Sequence, residues 1–276
     1  MKRLVVIRGG GELATASAIY LHNAGFRVLI LEQAQPTSTR RMVSFADAVY
    51  DKKKVVERVT CRLATDYKDA EKRLKDGEIV LMVDPVGRFI KEFEPKVVID
   101  GILAHRNFGT NRKMAEHTLA LGPGFCAGRD VDVVIDTMRG HNLGRIVREG
   151  YTTKVQGTPD QVDSNGTAEH IIFSPASGKL EVKKNISFMV KEGEVIAKLH
   201  VAEKEVIDIK SPLTGVLRGS IHDGYYVEAG QKILDVNPHL TQTECFSMSD
   251  KARCIAGSVL MVVVGWENAK KKRRLF

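Results

Sequence analysis

The chain has 276 residues, long for one domain and comfortable for two, and 43% apolar residues suffice for ordinary cores. Lys and Arg outnumber Asp and Glu by 42 to 34, but five of the eight excess positive charges form the run Lys270–Arg274. The remainder is too weakly basic for a general nucleic-acid footprint. The four cysteines show no paired or Cys-x-x-Cys spacing, which argues against a disulfide framework and a structural zinc site and fits a reduced, cytoplasmic setting.

The chain opens "VVIRGGGELATASAIYLHNAGFRVLILE", Val5 to Glu32: a strand, a glycine turn, a helix and a second strand. Arg8 and three glycines interrupt the opening apolar run before it could serve as a secretory segment. Gly9, Gly11 and Ala14 make G-x-G-x-x-A, and Glu32 closes the second strand. In a dinucleotide site such glycines, with Gly10 between them, let the backbone approach a phosphate at the helix N-terminus while the acid accepts ribose hydroxyls. A tight strand-to-helix turn also needs glycines for geometry alone. Leu13, Ala16, Ala18, Tyr20 and Leu21 fall near one helical face, and Gly25 stops the helix.

Further strands are expected at Ile79–Val83, Val97–Ile99, Thr118–Leu121 and Val133–Ile135, with a helix over "TDYKDAEKRLKDGE" that starts at Thr65 and stops at Gly77. These short Val/Ile/Leu runs predict a Rossmann-like, mostly parallel sheet. The loop "DGILAHRNFGTN" after one strand offers Asp100 and Arg106 at the sheet's carboxyl edge, where Arg106 either holds an anion or pairs with Asp100 or Asp84. "LGPGFCAGRDVD" brings Gly122 and Gly124 to another strand end, with Cys126 read as an inert thiol. "RGHNLGR" supplies Arg139 and His141, the histidine as a ligand contact or as a hydrogen-bonded structural residue.

From Gly150 to Glu169 the sequence turns polar and reads as a linker. Two copies of one pattern follow, Ser174–Leu199 and Ser211–Val236. Each runs Ser-Pro-x-x-Gly, a short strand, then V-x-x-G-x-x-I, with the same interval from Gly178 to Gly193 as from Gly215 to Gly230. A pair of such units predicts a small, interlocked β structure. Ser249 caps a terminal helix whose longest apolar run, Ile255–Trp266, is 12 residues, short of the roughly 20 that span a membrane, so no membrane anchor is expected. The domains implied are 1–165, 166–240 and 241–276.

Five stretches in order, "VVIRGGGELAT", "QPTSTRRMVSFADAVYD", "VVIDGILAHRNFGT", "ALGPGFCAGRDVDVVIDTMRGHNLGR" and "SDKARCIAGSVL", resemble the accessory proteins of the selenium-dependent molybdenum hydroxylase system. The resemblance implies maturation of a molybdenum hydroxylase, with that enzyme or its cofactor-supply proteins as partners and a homo-oligomer left open. It also implies a nucleotide or molybdenum cofactor as ligand at the Gly9–Gly11 turn. The alternative is a nucleotide-dependent oxidoreductase or a cofactor-modifying transferase. The repeat resembles a biotinyl/lipoyl-like barrel-sandwich hybrid module in which Lys204 stands at the carrier position, but its Glu-Lys-Glu flanks predict no biotin or lipoate there.

Overall fold

A computed structural model describes residues 3–152, 170–202 and 205–273. The fold is mixed α/β, with one large, mostly parallel sheet, additional antiparallel sheets and a C-terminal helix. The chain divides into two units, Met1–Pro36 with Ser44–Val155 and Met248–Phe276, and Thr37–Val43 with Gln156–Ser247.

The first unit contains β1 (Leu4–Arg8), α1 (Glu12–Asn23), β2 (Arg27–Glu32), α2 (Ala48–Asp51), β3 (Lys53–Val56), β4 (Val59–Leu63), α3 (Tyr67–Lys75) and β5 (Ile79–Val83). It continues through α4 (Ile90–Phe93), β6 (Val97–Asp100), β7 (His117–Leu121), β8 (Cys126–Ala127), β9 (Val133–Ile135), β10 (Ile146–Val147) and β11 (Gly150–Tyr151), and ends with α5 (Asp250–Arg273). Nine strands form one sheet in the order β10-β9-β7-β6-β1-β2-β5-β4-β3. All pairings are parallel except the outer β3/β4 and β9/β10. Strands buried on both faces cannot alternate apolar with polar, which is why the inner ones read as continuous Val/Ile/Leu runs. Leu4, Val6, Leu29, Leu31, Val80 and Met82 pack with Leu74 of α3 and with Ile90 and Phe93 of α4 in one core.

The pattern of α1 suggests a one-faced helix, but every residue from Leu13 to Ile19 is buried. The reason lies at the other end of the sequence. Helix α5 packs along α1 and buries Ala252, Ile255, Ala256, Val259, Val262 and Val263. A helix enclosed on all sides is apolar on all sides. Ser249 caps α5, its hydroxyl accepting from Ala252 N–H at 3.2 Å. Helix α3 is capped by Asp66, which accepts from Asp69 N–H, rather than by the expected Thr65.

The second unit holds β12 (His170–Phe173), β13 (Gly178–Val182), β14 (Met189–Val190), β15 (Val195–Ala202), β16 (Glu205–Lys210), β17 (Gly215–Ser220), β18 (Tyr226–Val227) and β19 (Lys232–Asn237). They form two four-stranded sheets, β12-β19-β17-β14 and β16-β15-β13-β18, with no closed barrel among the described residues. The two copies of the sequence pattern exchange strands: β13 pairs with β18, and β14 with β17. The repeated residues lock the exchange. Gly193 N–H donates to Ser211 O and Gly230 N–H to Ser174 O, at 2.9 and 2.8 Å, so each copy's glycine holds the other's serine. Both glycines have positive φ, +78° and +76°. At the other repeated glycines a Cβ would stand 2.5 Å from His200 O (Gly178) and 2.6 Å from Asn237 O (Gly215). The repeat therefore records two equivalent backbone crossings. Lys204 lies outside the described residues, between β15 and β16. No helix of the described residues is long and apolar enough to cross a membrane.

Candidate functional site

In an open parallel sheet, ligands bind beyond the carboxyl ends of the strands where the strand order reverses. Here that point is β1, flanked by β2 and β6. The sequence-predicted residues around it fall into three groups: Gly9, Gly10, Gly11 and Glu32; Asp100, Arg106, Gly122 and Gly124; and Arg139 with His141.

The first group is filled by the chain itself. Glu32 accepts from Gly10 N–H at 2.7 Å and from Gln33 N–H at 2.8 Å, so its carboxylate is the anion of this turn. Burial raises the Glu32 carboxyl above the ordinary range, with the two backbone hydrogen bonds pulling it down. Gly10 O accepts from Ala46 N–H at 2.9 Å and from the Thr15 hydroxyl at 3.0 Å. A Cβ on Gly10 would stand 2.9 Å from Ala46 N, and one on Gly9 3.0 Å from Gly101 O. The glycines serve close backbone packing, and Glu32 engages the Gly10 N–H that the phosphate-and-ribose reading would leave to a ligand.

The third group is tied to α5. The Arg139 guanidinium bonds Asp250 at 3.1 Å, and Gly144 O accepts from the Ser258 hydroxyl at 2.7 Å. His141 is exposed in the loop between them.

The second group lies at the switch point. Asp100, paired in register with Arg8, ends β6. Both are buried, at 1% and 2% exposure. Arg8 Nη1 donates to the Thr110 hydroxyl at 2.5 Å, and that hydroxyl donates to Asp100 Oδ2 at 2.5 Å, placing Nη1 3.8 Å from the carboxylate. Arg8 Nη2 reaches Pro85 O at 3.2 Å and Phe108 O at 3.3 Å. One buried guanidinium thus binds the loop after β5 to the loop after β6. Burial pushes the Asp100 carboxyl up, while Thr110, Ile102 N–H and Arg8 pull it down. Asp84 and Asp136, also buried, accept from loop N–H groups at Gly87, Phe89 and Met138. The acids that close these strands organise loops.

Between the anchored ends, Leu103 and His105 have left-handed backbones, with φ of +61° and +57°. Each such residue costs about 1–2 kcal/mol, so neighbours must hold it. The loop after β7 does so. A Cβ on Gly124 would stand 2.7 Å from Arg106 N, and one on Gly122 3.3 Å from the Leu103 side chain. What this frame presents is Arg106, exposed, its guanidinium 4.5 Å above the Phe108 ring. Asp100 and Asp84 are engaged elsewhere, and no carboxylate among the described residues pairs with Arg106. Phe108 and Val86 are 47% and 59% exposed on loops that share the Arg8 guanidinium. Among the described residues no group of three or more His, Cys, Asp or Glu could hold a metal ion. Sequence reasoning missed Arg8. The available signal was an arginine ending an otherwise apolar inner strand, since a buried charge needs partners.

The fold defines a mixed α/β protein with a large, mostly parallel sheet. No protein-family model matches the chain. It is 44% identical over 258 residues, 94% of its length, to the Escherichia coli (strain K12) protein described as "Uncharacterized protein YqeB". It covers 47% of that protein and so spans about half the length of its curated relative. Among solved structures, it is similar to a succinylglutamate desuccinylase/aspartoacylase from Rhodobacter sphaeroides, at 19% identity, TM-score 0.22, and 30% and 29% of the two chains. It is also similar to an aspartoacylase family protein from Mesorhizobium loti, at 14% identity, TM-score 0.29, and 86% and 85%. Likenesses this low carry no activity across. They do fall with desuccinylases and aspartoacylases rather than with molybdenum hydroxylase accessory proteins. The expected membership, the maturation role and the selenium and molybdenum associations are corrected on that finding. The oxidoreductase and transferase alternative has no better support.

Proposed function

We propose that the first unit binds a small carboxylate-bearing molecule with an apolar part at the loops after β6 and β7. In this reading the sheet is Rossmann-like, the second unit is an unmodified barrel-sandwich hybrid module, and the protein works in the cytoplasm, in keeping with four unpaired cysteines. The observation that carries the reading is Arg106. It is exposed without a carboxylate partner among the described residues, on a loop whose two left-handed residues are held by buried anchors at the switch point. A guanidinium offers a carboxylate two parallel donors, and the Phe108 face and Val86 offer apolar surface nearby. Calorimetric titration with benzoate tests this. The Arg106→Gln variant should lose about 1.5–3 kcal/mol of binding, the worth of a charge-assisted hydrogen bond, with stability unchanged. Undetectable benzoate binding by the unaltered protein up to about 10 mM, or equal binding by Arg106→Gln, would refute it.

A further inference from the structure

At the opposite, amino edge of the same sheet lies a cavity of about 280 Å³ lined by Arg3, His22, Gly25, Phe26, Arg27 and Gly77. Three of its six lining residues carry basic side chains and none is acidic. Arg3 immediately precedes β1 and Arg27 opens β2, with Arg27 N–H donating to Arg3 O at 3.1 Å. The Arg3 guanidinium lies 4.1 Å above the Phe26 ring and donates to Ala24 O at 3.2 Å. Its backbone is left-handed, at φ +56°. Gly25 gives it room, since a Cβ there would stand 3.3 Å from Arg3 Nη1. Arg27 is held by a bond from Nε to Leu74 O at 3.0 Å. The two guanidinium groups are therefore placed before any ligand arrives, which lowers the ordering cost of binding.

The C-terminus of α1 also borders the cavity, and unsatisfied carbonyls there would repel an anion. They are consumed. Leu21 O accepts from Phe26 N–H at 3.0 Å, His22 O from Gly25 N–H at 2.9 Å, and Ala24 O from Arg3. The carboxylate of Glu78, next to Gly77, is taken by Arg62 and Arg73. Burial lowers the His22 imidazole below its ordinary pKa.

We propose that this cavity is a second anion site, which takes a phosphate group either free or on a small phosphomonoester. Three basic side chains lining one cavity suit a doubly charged oxyanion, where the single Arg106 of the carboxyl edge suits a carboxylate. The volume sits near the lower end of small-molecule pockets, about 300 Å³, enough for a phosphate and a few further atoms.

The test titrates the full chain with inorganic phosphate and, separately, with glycerol 3-phosphate, following heat and the His22 ring signals by NMR. Phosphate should move the His22 signals and raise the pH at which they titrate. Arg3→Gln should weaken binding at least about tenfold, the loss of one charge-assisted contact. His22→Gln should weaken it in the same direction, a second variant that does not depend on the left-handed residue. Tighter binding of glycerol 3-phosphate than of phosphate identifies the ester as ligand, and the reverse identifies free phosphate. His22 signals unmoved by either compound up to about 10 mM, or affinity unchanged in Arg3→Gln, would overturn the proposal.

Discussion

Replacing Arg8 with Met removes the guanidinium that joins the loops after β5 and β6 and leaves Asp100 buried without its cation. Both residues are almost wholly inaccessible, so neither charge can turn to water. Removing one partner of a buried pair costs about 3–5 kcal/mol, and the stranded Pro85 and Phe108 carbonyls favour the upper half of that range. The loss should depend on pH in one direction. Asp100 is already held above the ordinary carboxylate range, and taking Arg8 away raises it further. The folded variant then binds a proton that the unfolded chain, titrating near 3.9, has released. Its deficit against the unaltered protein is therefore full above the variant's raised Asp100 pKa and shrinks as pH falls from there towards the lower folded pKa that Asp100 keeps beside Arg8. Urea unfolding can be read through Trp266, the only tryptophan, which stacks on His117 with ring centroids 4.5 Å apart and so reports on the first unit. Adding Asp100→Asn should recover at least about 2 kcal/mol relative to the sum of the two single losses. Losses that simply add, with a deficit flat from neutral to acid pH, would show that Arg8 and Asp100 do not act as a pair.

Gly10→Ala should destabilise the first unit by about 1–3 kcal/mol in ligand-free protein, because its Cβ meets the Ala46 backbone; unchanged Trp266-monitored unfolding would reopen the turn as a vacant site. In the second unit, Gly178→Ala and Gly215→Ala should cost about 1–3 kcal/mol or more each and by similar amounts, since both drive a Cβ into a carbonyl oxygen. Hydrogen exchange across β13 to β19 would measure this, and protection lost in one variant alone would deny the equivalence of the two halves.

The inner strands were legible because full burial on two faces leaves a continuous apolar signature, and the repeat was legible because two backbone crossings each demand glycine. The β3–β4 hairpin was not. Its strands are at most half-buried over much of their length, and its turn residues, Glu57 and Arg58, carry φ of +44° and +70° without an Asn or Gly to announce the turn. Glu57 accepts the Met248 N–H at 3.0 Å and pairs with Arg253, a long-range reason for its place that no local pattern contains. The candidate site was half legible. Asp100, Arg106, Gly122 and Gly124 lie on the neighbouring loops after β6 and β7. Glu32 bonds its own turn, a contact that spacing alone does not announce. The bond from Arg139 to Asp250, which ties it to α5, has no local signal in the sequence.

The enclosure of α1 also sets an order of events during synthesis. The residues that cover it, Ala252 to Val263, follow the whole second unit in sequence, so an apolar helix made in the first two dozen residues waits for its cover through the translation of some two hundred more. At roughly 5–20 residues per second that interval lasts about 10 seconds or longer. Over that time the nascent first unit is a sheet with one helix exposed, a substrate for holding chaperones, and it reaches its native state only when α5 has left the ribosome. Ending the chain at the linker would fix this intermediate permanently.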